Sequence, residues 1–299
     1  MNLLPVPPRL YEDALKLSVR GQEDAMIEVA AALEKSVAGL SWAKLPKHTF
    51  LFLGPTGVGK TETAKTIAEL VFQDRSAMVT FDMGAYQTPE KVGDFVREFV
   101  ERIGPKQATG CVILLDEIEK GHRDLTTLLL AMLDEGRFAG EGESVALEHC
   151  YLVATSNLGC AEIIDMKDSD MATIRRFARR AAEEYFRPEV VARFKTVEVF
   201  RLLPQEVQRE ICGNFLSTYL PHVGRRFSKE ICFDEDVVTY LIDKGCDDRL
   251  GARPLRNAIE RHVGRALLSL DSLSGEHVAL SVEQDRGIVA TARNFDLHN

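Results

Sequence analysis

The chain has 299 residues, 45% of them hydrophobic and 28% charged, with a formal net charge of −9. That length buries a large core and suggests two domains, and the acidic balance argues against broad nucleic-acid binding while leaving room for a local basic channel. No apolar run is long enough to span a membrane, and Met1-Asn2-Leu3-Leu4-Pro5-Val6-Pro7-Pro8 lacks the basic and apolar regions of a signal peptide, so a cytoplasmic protein is expected.

A proline-rich lead-in precedes a predicted helix over 11–17, which Val19-Arg20-Gly21-Gln22 breaks before a long amphipathic helix over 23–38. Apolar runs then predict strands at 50–53, 78–81, 111–115, 150–155 and 196–200. Helical patterns fall between them at 60–72, 91–103, 125–135 and 171–185. Near-continuous apolar strands alternating with helices argue for an α/β fold with a parallel sheet covered on both faces. The pattern changes at Leu203-Pro204. Helices at 205–219, 235–244 and 254–269, with short strands at 231–233, 278–282 and 287–292, predict a smaller α+β domain. The expected division is therefore 1–203 and 204–299. The six cysteines (111, 150, 160, 212, 232 and 246) form no C-x-x-C pair. Cys111, Cys212 and Cys232 stand in apolar runs, which fits buried thiols better than disulfides or metal ligands.

Three strand ends carry the chemistry. The first strand runs into Gly54-Pro55-Thr56-Gly57-Val58-Gly59-Lys60-Thr61, followed by a helix. In that setting backbone N–H groups cradle phosphates and the helix start adds partial positive charge. Lys60 would reach the β- and γ-phosphates and the Thr61 hydroxyl would ligate Mg²⁺, which predicts a nucleoside triphosphate such as ATP. The strand Val112-Ile113-Leu114-Leu115 ends in Asp116-Glu117. Strand C-termini of such sheets open into the ligand crevice. Neighbouring strand residues face opposite ways, so Asp116 is expected to help hold Mg²⁺ and Glu117 to orient and polarise the attacking water. Tyr151-Leu152-Val153-Ala154-Thr155-Ser156-Asn157 places Asn157 at a third strand tip, where it could hydrogen-bond the water or the γ-phosphate. Read alone, Ser-Asn is more often a turn.

In this order the motifs resemble those of AAA+ ATPases of the Clp branch, and in particular the second ATPase module of the ClpB and ClpA type. Leu114-Leu115-Asp116-Glu117-Ile118-Glu119-Lys120, Thr155-Ser156-Asn157-Leu158-Gly159, Phe186-Arg187-Pro188-Glu189 and Gly251-Ala252-Arg253-Pro254-Leu255 all match. The resemblance covers about Val19 to Leu270. It implies a three-layer αβα sandwich followed by a lid domain, and a homo-oligomeric ring, six-membered by resemblance. It further implies that Arg193 is an arginine finger entering the neighbouring subunit's site, with Arg187 as the alternative. Arg253 would be a γ-phosphate sensor in the lid, and backbone groups around Val19 and Arg20 would read the adenine.

The departures bear on what the engine acts upon. No Gly-Tyr-Val-Gly pore loop lies between Phe81-Asp82-Met83-Gly84-Ala85-Tyr86 and Asp116, and this span is several residues shorter than in the family. Tyr86 or Phe95 could substitute as a gripping residue, although Phe95 and Phe99 fit an amphipathic core role better. No second ATPase module, Clp-type N-terminal substrate domain or Ile-Gly-Phe/Leu loop for docking on ClpP is found in the sequence. The stretch 134–143 resembles a hairpin facing the central pore and is acidic and glycine-rich here. The expected function is ATP-driven remodelling or assembly of a protein partner without polypeptide threading. The alternatives are a nucleic-acid motor or loader, using Lys91, Arg97, Arg102 and Lys106 as a basic stripe, and an ATP-switched scaffold. Interleaved Glu90, Asp94, Glu98 and Glu101 make that stripe look more like an ion-paired helix face.

Overall fold

The alternation of apolar strands with amphipathic helices builds two units in a computed structural model that describes residues 10–140, 142–166, 169–245, 251–268, 270 and 275–292. One unit takes the chain up to Pro55 and Gly59–Leu202; the other runs from Leu203 onward and includes Thr56–Val58. The lead-in at 1–8, Glu141, Cys246 and Ser269 lie outside the described residues.

In the first unit the elements follow in the order α1 (Tyr11–Ser18), α2 (Glu23–Val37), β1 (His48–Leu53), α3 (Lys60–Phe72), β2 (Met78–Asp82), α4 (Pro89–Ile103), β3 (Val112–Asp116) and α5 (Leu125–Glu135). Then come β4 (Arg137–Gly140), β5 (Glu143–Ala146), β6 (Tyr151–Ser156), α6 (Cys160–Asp165), α7 (Met171–Phe186), α8 (Pro188–Val191) and β7 (Thr196–Val199). Five strands form an all-parallel sheet in the order β2-β3-β6-β1-β7, while β4 and β5 make a separate antiparallel hairpin. Because β1 sits inside the sheet with β6 on one side and β7 on the other, the chain reverses direction of travel beside it. The C-terminal ends of β1, β6 and β3 therefore converge on a switch point, where such sheets bind ligands.

Side-chain alternation divides the sheet's apolar residues between two faces. Leu51, Leu53, Ile113, Leu115, Leu152 and Ala154 join a core with Phe95, Phe99 and Ile103 of α4, Leu129 and Met132 of α5, and Ile174, Ala178 and Phe186 of α7. Phe50, Phe52, Leu114 and Val153 are buried on the opposite face. There α2 lies against β1 and β7, and α3 against β2, β3 and β6. The hydroxyls of Ser36 on α2 and Tyr151 on β6 hydrogen-bond at 2.7 Å, fixing this layer. Helix α4 begins with Pro89, whose missing N–H costs nothing at a helix start. Its polar face pairs Lys91 with Asp94 at 2.7 Å, Arg97 with Asp94 at 3.5 Å and Arg102 with Glu98 at 2.7 Å. Cys111 and Cys150 lie buried as thiols, each just before a strand (β3 and β6) rather than in it as expected, Sγ to Sγ 3.9 Å.

The second unit contains α9 (Gln205–Phe227), β8 (Glu230–Phe233), α10 (Glu235–Gly245), α11 (Arg253–Ala258), α12 (Gly264–Leu267), β9 (His277–Glu283) and β10 (Gly287–Ala292). Its sheet has the order β10-β9-β8, with β9 and β10 antiparallel and β8 and β9 parallel. Three sequence expectations need correction. The helix predicted to stop at 219 continues through Pro221 to Phe227. Leu216, Leu220 and Gly224 recur every four residues on its buried stripe, so core packing outweighs the proline's local preference to end a helix. The helix predicted over 254–269 is divided by a π turn at Ile259–Val263. Leu255, Ile259, Val263 and Leu267 all remain buried across the divide. Cys212 is buried as expected, whereas Cys232 on the edge strand β8 is only half-buried.

Candidate nucleotide-binding site

The loop after β1 is shaped by residues that lack a Cβ. Gly54 adopts φ +134°, where an added Cβ would stand 2.3 Å from the carbonyl oxygen of Phe200. Gly59 adopts φ +114°, and its Cβ would stand 2.8 Å from Val19 Cγ1. Both positions therefore require glycine for backbone conformation and for room. Between them stand Pro55, Thr56, Gly57 (φ +76°) and Val58. Helix α3 then begins at Lys60, with half-buried Thr61 as its second residue. The free N–H groups of its first turn make this end an anion site. Val19 is 3% exposed, and its segment is tied to the chain beyond β7. The Gln22 amide donates to Arg201 O at 2.9 Å and accepts from Arg201 N–H at 3.1 Å, while Arg201 Nε–H donates to Gly21 O. Arg20 follows Val19 in this anchored turn and is half-buried.

Lys60 is 8% exposed. Its ammonium donates to Gly54 O, to Pro55 O at 2.7 Å and to Asn157 Oδ1 at 2.9 Å. Burial pulls its pKa down to about 8, a fall opposed by Cys160, Glu119, Asp116 and Glu117. The Asn157 side chain also donates through Nδ2 to Glu117 Oε1 at 2.8 Å. One continuous chain of hydrogen bonds thus runs from the glycine loop through Lys60 and Asn157 to the acidic end of β3.

At that acidic end the strand alternation expected from the sequence does not extend to Glu117. Strand β3 ends at Asp116, and Glu117 takes a left-handed conformation, φ 57° and ψ 55°. It is this turn, rather than strand alternation, that sets the course of the Glu117 side chain. Thr155, fully buried at the end of β6, organises the turn. Its hydroxyl accepts from Glu117 N–H at 2.9 Å and donates to Asp116 Oδ1 at 2.5 Å. Glu119 Oε1 accepts from Asn157 N–H at 3.0 Å, and Lys120 Nζ stands 2.5 Å from Glu117 Oε2. Sequence reasoning gave none of these three a role. The sheet register explains Thr155, since Ala154 pairs with Leu115 and the next residue on β6 is level with Asp116, but spacing along the chain does not show it. For Lys120 no periodicity helps, because the intervening turn decides where it reaches.

Other expected site residues stand outside this network. Arg193 follows α8 and is exposed, its Nε 3.1 Å from Asp134 Oδ1 at the end of α5. Arg187, also exposed, pairs with Glu189 at 3.7 Å. Arg253 belongs to the second unit, where it opens α11 with an exposed side chain. Tyr86 is 6% exposed and its hydroxyl donates to Glu98 Oε2 at 2.5 Å, so it lines the core and offers no free aromatic grip. Phe95 and Phe99 are core residues, as their spacing suggests. In the hairpin, Phe138 is buried and Arg137 pairs with Glu135 at 2.7 Å.

A parallel sheet of this order with a glycine loop, an acidic strand end and a polar strand tip at one edge defines a nucleotide-binding α/β module. Comparison with known proteins makes the class specific. The AAA domain model of the Cdc48 subfamily matches residues 45–197, and the model for the C-terminal, D2-small domain of ClpB protein matches 203–280. The chain belongs to the AAA family, and its Clp-branch resemblance holds across both units. It is 31% identical to chaperone protein ClpB of Gloeobacter violaceus over 93% of this chain and 34% of that protein. It is 34% identical to ClpB of Agrobacterium fabrum over 89% and 32%. With the negative regulator of genetic competence ClpC/MecB of Bacillus subtilis it shares 33% identity over 94% and 37%. The chain thus spans about a third of the length of these curated relatives. Among solved structures it superposes on the S. cerevisiae Hsp104–ADP complex with TM-score 0.79 and 27% identity, covering 94% of this chain and 52% of that one. A closed-state Hsp104 with ATPγS and FITC casein gives TM-score 0.78 at 26% identity, covering 95% and 51%. No described helix is long and apolar enough to cross a membrane.

Proposed function

We propose that this chain binds ATP with Mg²⁺ and hydrolyses it to ADP and phosphate within a homo-oligomeric, six-membered ring that remodels or assembles a protein partner. The observation that carries the reading is the hydrogen-bond chain from Gly54 and Pro55 through Lys60 and Asn157 to Glu117. Lys60 rests there on neutral acceptors, and phosphate oxygens would be stronger partners for its ammonium. Gly54, Pro55, Thr56, Gly57, Val58 and Gly59 would wrap the phosphates, and the Val19–Arg20 segment would meet the base. Among the described residues no group of three or more His, Cys, Asp or Glu forms a metal cage. Mg²⁺ does not need one, since it is commonly held by one or two protein oxygens plus substrate phosphates and water. Thr61 and Asp116 are those protein oxygens in this reading. Glu117 takes the proton of the attacking water, and Asn157 orients that water or the γ-phosphate. Arg193 of a neighbouring subunit neutralises the transferred phosphoryl group, and Arg253 senses its loss.

The partner is taken to be a protein, by likeness to the chaperone ClpB and to Hsp104 solved with ADP and with ATPγS and FITC casein. Of the four cations weighed above as a nucleic-acid stripe, the three on α4 (Lys91, Arg97 and Arg102) are ion-paired on their own helix. The aromatics between β2 and β3 that could grip a polypeptide are buried, which supports remodelling without threading. The test uses purified protein with Mg²⁺-ATP, alongside Lys60→Ala. Turnover that the variant loses together with nucleotide binding supports the reading, and no turnover at any protein concentration refutes it. Processive unfolding of a tagged fluorescent substrate would refute the non-threading part alone.

A further inference from the structure

Glu117 is unusual among the site residues in having a distinct donor on each carboxylate oxygen. Asn157 Nδ2 donates to Oε1 at 2.8 Å, and Lys120 Nζ lies 2.5 Å from Oε2. Lys120 is attached to Glu117 twice, because its backbone N–H also donates to Glu117 O at 2.9 Å, closing the turn. Buried Ile118 anchors that turn in the core. The aliphatic stem of Lys120 passes beside Gly84, where a Cβ would stand 3.6 Å from its Cδ. The hydrogen-bonded turn thus fixes the base of the Lys120 side chain, and its stem passes close to Gly84 on the way to the carboxylate.

We propose that Lys120 is a positioning residue for Glu117, holding the carboxylate at the orientation from which it accepts a proton from water. This rests on the reading of Glu117 as the base. A physical consequence follows from the geometry. A carboxylate oxygen has two lone pairs, so one donor on each oxygen fixes its direction and still leaves acceptor capacity for the water. Misplacing a reacting group by a small distance lowers the rate of the chemical step more than it lowers ground-state binding. Among the described residues the Lys120 ammonium pairs with Glu117, and its side chain is about half exposed, so replacing it removes the clamp without opening the core.

The experiment compares Glu117→Gln, Lys120→Met and Lys120→Arg in the full-length protein. It measures kcat and KM for Mg²⁺-ATP, and Kd for a fluorescent ATP analogue. Glu117→Gln should remove turnover by about a hundredfold or more. Lys120→Met should lower kcat by about tenfold with KM and Kd within about twofold of the parent, and Lys120→Arg should recover most of that loss. If Glu117→Gln stops turnover while Lys120→Met keeps the parental kcat, the positioning role is overturned and the base assignment survives. A Lys120→Met variant that loses affinity at unchanged kcat would make Lys120 a binding residue and overturn the proposal as well. Full turnover by Glu117→Gln would overturn the base reading itself.

Discussion

Thr155 shows how one hydroxyl sets two carboxylates. It is fully buried, accepts from Glu117 N–H and donates to Asp116. Replacement by valine keeps the shape and removes both bonds, leaving a buried N–H and a carboxylate oxygen short of a partner. The cost should be about 1–3 kcal/mol, read as a lowered denaturant midpoint at unchanged m-value, with Mg²⁺-dependent turnover falling alongside it. Thr155→Ser keeps the hydroxyl and should restore most of both; equal losses in the two variants would show that the methyl, not the hydroxyl, matters. The sequence did not single this residue out, whereas Lys60, Asp116, Glu117 and Asn157, which the structure joins with it in one network, were all named from their motifs. A phosphate loop and an acidic strand tip need particular residue types at fixed spacing along the chain. Thr155 matters through its neighbour on another strand, and Lys120 through a left-handed turn at Glu117 that no alternation rule anticipates.

At the scale of elements, α4 is held by its aromatic row. The Phe99 ring lies 4.1 Å from that of Phe138 and 5.3 Å from that of Phe81, centroid to centroid. Phe99→Ala should cost about 3–5 kcal/mol, because the sheet, helix and hairpin that enclose the ring cannot all collapse into the space. A loss below about 1 kcal/mol in chemical denaturation would contradict this packing. The edge of the sheet carries a pH-sensitive pair. His48, opening β1, hydrogen-bonds through Nε2 to Thr196 Oγ1 at 2.8 Å at the start of β7. Burial, then Lys195 and Lys35, lower its pKa from 6.5 to about 4. A depressed folded-state value means that the unfolded chain takes up the proton first. The contribution is thus complete above pH 6.5 and is lost as pH falls toward 4. It amounts to at most about 3 kcal/mol, and His48→Gln should flatten the fall in stability across that window. Element order and type were largely legible because buried parallel strands and amphipathic helices impose distinct periods. The course of α9 through Pro221 and the π turn at Ile259–Val263 were not, since packing in the second unit overrides local preference there.

For the whole molecule, the question is whether one chain owns a complete site. Lys60, Asp116, Glu117, Thr155 and Asn157 are joined in a single network. Arg193 is exposed and held at its base by Asp134. In the proposed ring it serves the next subunit, so hydrolysis depends on a head-to-tail interface. This dependence allows two inactive variants to complement one another. Glu117→Gln protomers lack the base and still present Arg193; Arg193→Ala protomers keep the base and lack the finger. In an equal, random mixture a site is complete when an Arg193→Ala protomer receives the arginine of a Glu117→Gln neighbour. Half the sites have the first property and half of those have the second, so about a quarter of parental turnover should return if sites act independently. Strong coupling around the ring would lower that figure, but any recovery above both pure variants requires a site built from two chains. If mixing returns nothing although both variants assemble, Arg193 acts within its own chain; if Arg193→Ala alone keeps full turnover, Arg187 supplies the charge or the site is not shared between chains. The same titration repeated with Arg187→Ala separates those two cases, because the variant that complements is the one whose guanidinium crosses the interface.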